Sequence, residues 1–133
     1  MVVVDSSVWI DYFSGHDTPE TDYLDSLLGQ ELIVIGDLVL AEVLQGFRTG
    51  KDFRKARDLL LSLHLVNMLD MTIALKSAEN FRKLRKRGMT VRKTVDSIIA
   101  TFCIENRLSL LHSDKDFQPF QKYLGLKNAL SSR

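Results

Sequence analysis

Short runs of apolar, often β-branched residues alternate along the chain with longer segments whose apolar positions recur at helical spacing. The short runs predict strands at 2–4, 32–35, 64–68 and 108–111. The longer segments predict helices at 6–13, about 19–28, 38–45, about 51–62, 72–87, 95–106 and after Pro119. Strands that alternate with helices predict a parallel sheet covered by helices. The expected fold class is therefore α/β, a three-layer α/β/α sandwich with a small, mainly parallel sheet, in one domain over 1–133.

Residues with known positional preferences support several of these helix ends. Pro19 suits the first turn of the second helix, and Gly29 suits its end. Asp37 is predicted to be the N-cap of the third helix, and Thr94 the N-cap of the helix over 95–106.

Composition and charge narrow the functional classes. The 133 residues carry a net charge of +1, so any affinity for nucleic acid must come from local clusters of basic residues. A single cysteine, Cys103, excludes an internal disulfide framework and fits a reducing compartment. The N-terminal segment has no basic region and reaches an aspartate at residue 5, which argues against a signal peptide. The longest apolar run is far shorter than the roughly 18 residues of a membrane span. We expect a cytoplasmic protein without a membrane partner.

Acidic residues follow the first and the last predicted strand. Asp5 comes directly after the first strand, and Asp114 and Asp116 lie just beyond the last one. Ligands of open α/β sheets bind beyond the carboxyl ends of the strands, so these positions are candidates for a common site. For Asp5 or Asp114 taken alone, capping of the following helix or turn is the simpler role.

Two further carboxylates lie on predicted helices. Glu42 is the one charge in "LVLAEVLQGF", and its helical neighbours are apolar except for Gln45. A carboxylate on such a face needs a compensating partner, and the sequence names none. Asp96 is the only charge at the start of "TVDSIIATFCI". Its alternative role is stabilisation of the helix dipole, worth about 0.3–1 kcal/mol.

A cluster of these carboxylates would repel itself unless a cation bound to it. Ligands that are all oxygen, without His or Cys, favour the hard ions Mg²⁺ or Mn²⁺. The predicted catalytic carboxylates, which are also metal ligands, are Asp5, Glu42, Asp96 and Asp114. Asp116 joins the metal set as a ligand or as a residue that orients water, unless it is the N-cap of the last helix.

Three stretches occur in the order typical of one family: "VVVDSSVWIDYF", "LAEVLQGF" and "TVDSIIATFCIENRLSLLHSDKDF". In these stretches the chain resembles the PIN-domain ribonucleases, and in particular the VapC-type toxins of bacterial toxin–antitoxin systems. The resemblance implies a PIN-like fold, a homodimer and cleavage of RNA with Mg²⁺ or Mn²⁺. It also implies inhibition by a cognate VapB-type antitoxin in a toxin–antitoxin hetero-oligomer, and tRNA or another structured RNA as substrate.

The resemblance assigns roles position by position. The family's first three acidic residues fall on Asp5, Glu42 and Asp96, and the fourth and fifth on Asp114 and Asp116. In this hypothesis Asp5 and Asp96 are the principal metal ligands. Glu42 and Asp114 complete the shell, position the attacking water or hold a second ion. Hydrolysis by water leaves a 5′-phosphate and a 3′-hydroxyl.

Hydroxyl residues next to the acidic positions also match the family. Ser6 follows the first aspartate and Ser113 precedes the fourth, and both are expected to be supporting hydroxyls. Thr101 replaces an alanine that the family commonly has after the third aspartate. We expect this departure to affect packing more than chemistry.

A basic segment, "RKLRKRGMTVRK", lies just before Asp96. Side chains of this kind contact phosphates and position a nucleic acid without reading its sequence. The alternative is a solvated helix end, where cations favour the helix dipole. The predicted RNA-binding residues are Arg82, Lys83, Arg85, Lys86, Arg87, Arg92 and Lys93.

Other functions with an acidic pocket agree less well with the sequence. A receiver-type phosphoacceptor domain needs an aspartate at the end of a central strand and a lysine after the last strand. Here Asp52 and Asp58 lie in an amphipathic helix, and His112 follows the last strand. An acidic-site phosphatase typically has two aspartates spaced by one residue after the first strand, where this chain has "DSS". A PIN-like scaffold that binds RNA without cutting it is disfavoured by the complete acidic set.

Overall fold

A four-stranded parallel sheet with strand order β3-β2-β1-β4 forms the centre of the computed structural model, which describes residues 1–30 and 32–130. The strands are β1 Val2–Val4, β2 Ile33–Gly36, β3 His64–Val66 and β4 Ser109–Leu111. The helices are α1 Ser6–Phe13, α2 Pro19–Leu27, α3 Asp37–Leu44, α4 Gly50–Leu61, α5 Met71–Lys86, α6 Thr94–Glu105 and α7 Gln118–Leu124, and a 3₁₀ turn covers Lys115–Phe117. The predicted α/β sandwich with a parallel sheet is confirmed.

β1 is the central strand that organises the sheet. Val2 pairs with Ile33 of β2 and with Ser109 of β4. Val3 and Val4 are fully buried, as expected for a parallel strand covered on both faces. The helices on the two sides form two packed groups, α1 to α4 and α5 to α7.

The edge strand β3 is shorter than the predicted 64–68. The backbone N–H of Met68 donates to Oδ1 of Asp37 at 3.0 Å, so the chain has left the sheet by that residue. The Met68 side chain then packs over Gly36, where an added Cβ would lie 2.1 Å from its sulfur. Gly36 thus lets β2 end directly beneath this methionine.

Two predicted helix caps are wrong by one residue. Asp37 is the first residue of α3 and Gly36 is its N-cap; the Asp37 carboxylate accepts hydrogen bonds from the Leu38 and Met68 amides. Lys93 is the N-cap of α6, without a side-chain hydrogen bond, and Thr94 is the first helical residue.

α6 is buried along one continuous stretch, from Asp96 to Cys103. It packs against α5, where the Ser77 hydroxyl donates to the Ser97 hydroxyl at 3.1 Å. This burial carries Asp96 into the interior at the edge of the sheet. Within the described ranges, no helix combines the length and apolar character needed to cross a membrane. The single domain over 1–133 stays a prediction.

Candidate active site

The carboxyl ends of β1 and β4 lie side by side. Asp5, which follows β1, therefore lies next to the loop after β4 that carries Asp114 and Asp116. The backbone N–H of Asp5 donates to the carbonyl of Leu111 at 2.9 Å, so both segments leave the sheet side by side. Asp5 is only 3% exposed. Its Oδ2 accepts hydrogen bonds from the Ser7 amide at 3.1 Å and the Ser7 hydroxyl at 2.7 Å. Asp5 therefore caps α1 and also faces the site.

Ser7 joins the two loops of the site. Besides donating to Asp5, its hydroxyl accepts the backbone N–H of Ser113 at 3.1 Å. The predicted supporting hydroxyl of Ser6 instead donates to Oε1 of Glu42 at 3.3 Å. Among the described residues, Ser113 contributes its backbone N–H and makes no side-chain hydrogen bond. Sequence reasoning missed Ser7, although a hydroxyl two residues after a helix-capping aspartate was a signal that could have identified it.

Glu42 reaches the same place from α3. It is half-buried, and burial together with the negative charge of Asp5 raises its pKa. The Ser6 hydrogen bond and the positive charge of Lys93 act in the opposite direction. Sequence analysis identified no cationic partner for Glu42. The structure places the positive charge of Lys93 near it.

Asp96 lies electrostatically at the centre of the cluster. It is 4% exposed, and its pKa is raised to about 7, first by burial and next by the charge of Asp5. The charges of Asp114 and Glu42 raise the pKa of Asp96 further, while Lys93 lowers it. The pKa of Asp96 is thus raised both by Asp5, which follows β1, and by Asp114, which follows β4.

Asp114 and Asp116 bring two more carboxylates close to Asp96. One oxygen from each of these three residues lies within 4.8 Å of the others. Oδ1 of Asp114 also accepts the backbone N–H of Asp116 at 2.9 Å, which caps the 3₁₀ turn. The suggestion that Asp116 is the N-cap of the last helix is wrong, because Phe117 holds that position.

The donor set fits a hard divalent cation. Oδ1 of Asp5 and Oδ2 of Asp96 are buried and have no hydrogen-bond partner within the described part of the chain. Buried carboxylate oxygens without a donor are costly, and a bound cation removes that cost. The tightest group, Asp96 with Asp114 and Asp116, differs from the expected principal pair of Asp5 and Asp96.

His112 lies beneath the cluster and has a structural contact on two sides. Its ring packs against Phe117 with centroids 4.9 Å apart, and Nε2 contacts Oε1 of Gln121. This arrangement ties the end of β4 to α7.

Several residues of the basic segment have different surroundings. Lys93 lies beside the carboxylates, and the Arg87 guanidinium lies 4.5 Å from the ring centroid of Tyr123 in α7. Arg82 and Arg85 line an apolar cavity between α5 and α6. All seven predicted residues are exposed: Arg82, Lys83, Arg85, Lys86, Arg87, Arg92 and Lys93.

Comparison with known proteins adds an independent finding. A family model for the PIN domain matches residues 2–122. Ribonuclease VapC11 of Mycobacterium tuberculosis is 26% identical over 131 residues, which cover 97% of this chain and 98% of that protein. The VapC ribonuclease Mb1587 of Mycobacterium bovis matches with the same identity and coverage.

Solved structures share the fold at low sequence identity. VapBC2 from Rickettsia felis, bound to a DNA fragment from its promoter, matches with a TM-score of 0.75 and 19% identity over 96% of this chain and 97% of that one. VapC20 of Mycobacterium tuberculosis, described as a sarcin–ricin loop cleaving toxin, matches with a TM-score of 0.65 and 15% identity over 89% and 93% of the two chains.

Proposed function

Because the chain belongs to the PIN domain family, we propose that it is a metal-dependent endoribonuclease and the toxin of a toxin–antitoxin pair. The full-length relatives named VapC ribonucleases support this assignment. The observation that carries it is the convergence on buried Asp96 of carboxylates from three other parts of the chain. A domain with an incomplete acidic set would lack this convergence.

Mg²⁺ or Mn²⁺ is the proposed cofactor, held by Asp96, Asp114 and Asp116, with Asp5 and Glu42 completing the set. Such an ion supplies positive charge that polarises a phosphate and makes water more acidic. The Ser7 hydrogen bonds occupy Oδ2 of Asp5 and leave Oδ1 as the oxygen that faces the site.

Glu42 is the proposed general base. It is half-buried and its pKa is raised, so at neutral pH it accepts a proton from the attacking water more readily than an ordinary carboxylate. Ser6 orients its Oε1. Lys93 is near enough to stabilise negative charge that develops on the phosphate. Attack by water forms a new P–O bond and breaks the bond from phosphorus to the 3′-oxygen, which takes a proton from solvent; the products are a 5′-phosphate and a 3′-hydroxyl.

The proposed substrate is tRNA or another structured RNA, contacted by the basic residues between 82 and 93. The match to a sarcin–ricin loop cleaving toxin supports a structured target. The matches to VapBC complexes support a VapB-type antitoxin as partner. A homodimer, a toxin–antitoxin hetero-oligomer and a cytoplasmic location remain part of the proposal.

The deciding experiment uses protein purified free of antitoxin and a pool of structured RNAs. We expect cleavage that stops with EDTA and returns with Mg²⁺ or Mn²⁺. Asp5→Asn keeps the shape of the side chain but removes its charge, so this folded variant should not cleave. Activity that persists in EDTA, or in Asp5→Asn, would rule out the metal mechanism. RNA binding without any cleavage would instead identify a non-cleaving scaffold.

A further inference from the structure

A second cavity adjoins the acidic cluster and has no role in the chemistry described above. It has a volume of about 630 Å³ and lies between α7 and the loop that joins α5 to α6. Met89 and Thr90 line the cavity on the side of the loop. Asp116 also lines it and belongs to the acidic cluster, so the cavity adjoins the carboxylates. Its volume is within the range of about 300–1,000 Å³ typical of small-ligand pockets, so it has room for a group much larger than an ion.

One wall of the cavity combines an aromatic ring with positive charge. Tyr123 is half-buried, with the Arg87 guanidinium 4.5 Å and the Lys122 ammonium 5.3 Å from its ring centroid. Lys115 and Lys122 line the same cavity. The Arg87 and Lys122 cations both lie over the ring, so this wall combines an aromatic group with positive charge, a combination that suits a nucleic-acid base and its phosphate.

Gln121 adds a directional donor to this wall. Its Oε1 contacts Nε2 of His112 and accepts from Nδ2 of Asn128 at 3.5 Å, so the amide is held from behind. Within the described residues no acceptor takes the protons of the Gln121 amide nitrogen. A base carbonyl or a ribose hydroxyl in the cavity is a suitable acceptor for them.

We propose that this cleft, defined by Met89, Thr90, Asp116, Gln121, Lys122 and Tyr123, binds one nucleotide of the RNA next to the scissile phosphate. The inference rests on the proposed ribonuclease function, because Asp116 belongs to both the cleft and the acidic cluster. The base stacks on Tyr123, its edge accepts from Gln121, and its phosphate lies near Lys122. The cleft is thus the positioning subsite that leads the RNA to the carboxylates.

Binding is tested in an Asp96→Asn background, with a fluorescein-labelled single-stranded RNA of mixed sequence, about ten nucleotides long, followed by anisotropy. Tyr123→Leu keeps an apolar side chain but removes the ring, and we expect about 5- to 100-fold weaker binding. Tyr123→Phe, which restores the ring, should recover the affinity. Lys122→Gln should weaken binding and reduce the slope of log affinity against log salt by about 0.7. Lys127→Gln, at an exposed lysine just after α7, is the matched control and should change neither.

Cleavage by the otherwise wild-type variants separates this inference from the function on which it rests. Tyr123→Leu should raise KM and leave kcat nearly unchanged, because the lost contact is the same in the ground and transition states. If the parent protein cleaves RNA and both Tyr123→Leu and Lys122→Gln keep its KM and affinity, the subsite is wrong and the nuclease stands. Equal losses in Tyr123→Phe and Tyr123→Leu also overturn it. If the parent binds RNA through Tyr123 and never cleaves, the nuclease is wrong, and nucleotide binding in the cleft stands without a role in positioning a scissile phosphate.

Discussion

The hydroxyl of Ser7 donates a 2.7 Å hydrogen bond to Oδ2 of Asp5, the buried carboxylate at the carboxyl end of β1. The same hydroxyl accepts the backbone N–H of Ser113, so one side chain sets both the direction of a proposed ligand and the position of the loop after β4. Hydrogen bonds behind a metal ligand orient it and strengthen its binding.

Ser7→Ala should therefore lower Mn²⁺ affinity and cleavage by about 10- to 100-fold. Titration calorimetry and initial rates measure the two effects. Ser7→Thr keeps the hydroxyl and should recover most of both. Ser14→Ala, at an exposed serine beyond the far end of α1, is the matched control. Normal Mn²⁺ affinity in Ser7→Ala would show that Asp5 needs no support from Ser7.

Asp96 should make the metal-free protein less stable as the pH rises. Its pKa is raised from 3.8 to about 7, so between these values the folded state binds a proton that the unfolded state has released. The contribution of Asp96 to stability is then largest below about pH 4 and is lost as the pH rises toward 7. Asp96→Asn removes this contribution. The melting temperatures of the two proteins in EDTA should be similar near pH 4.5 and should diverge toward pH 7.5, with the variant higher. Parallel curves would contradict the raised pKa.

Metal binding should show the opposite dependence on pH. A carboxylate must lose its proton to hold an ion, so binding to the cluster competes with protonation of Asp96. Mn²⁺ should raise the melting temperature at pH 7.5 and have little effect at pH 5. Asp5→Asn and Asp96→Asn should each lose most of this stabilisation, while Asp52→Asn, on the exposed start of α4, should keep it. An equal effect of Mn²⁺ at both pH values would place the ion elsewhere.

Lys93 should control the pH at which activity begins. Its positive charge lowers the pKa of both Glu42 and Asp96, so Lys93→Gln should raise these pKa values. The acid limb of the pH–rate profile would then move to higher pH, with the largest loss of rate below pH 7. Lys93→Arg should keep the parent profile. Lys55→Gln removes the charge of an exposed lysine on α4 and serves as the control. An acid limb that stays in place in Lys93→Gln would remove Lys93 from the site.

The sequence predicted the acidic positions because each followed from local features. Asp5 and Asp114 follow strands, and strand direction alone places their loops at one edge of the sheet. Glu42 was recognisable because a charge interrupts an apolar helix face. Their convergence on Asp96 follows from the parallel order of the sheet, which the alternation of strands and helices predicts.

The features that the sequence did not predict depend on contacts between residues that are far apart in the chain. Ser7 meets Ser113 across 106 positions of sequence, and the cleft beside Asp116 exists only where α7 packs near the loop at Met89. The surroundings of single residues in the basic segment also depend on such contacts. Arg87, at the end of α5, lies over the ring of Tyr123, whereas Lys93, after the turn that follows, lies near the carboxylates.

The chemistry of the cut RNA ends tests whether water is the nucleophile. If Glu42 activates water, the 2′-hydroxyl beside the scissile phosphate takes no part, and the products carry a 5′-phosphate and a 3′-hydroxyl. An RNA with a single 2′-deoxy nucleotide at the mapped cleavage site should therefore still be cut at the same bond. A deoxy substitution two nucleotides away controls for changes in binding. Poly(A) polymerase, which needs a 3′-hydroxyl, should extend the upstream fragment. A fragment that ends in a 2′,3′-cyclic phosphate, together with a resistant deoxy substrate, would mean that the RNA supplies its own nucleophile and that the carboxylates serve another purpose.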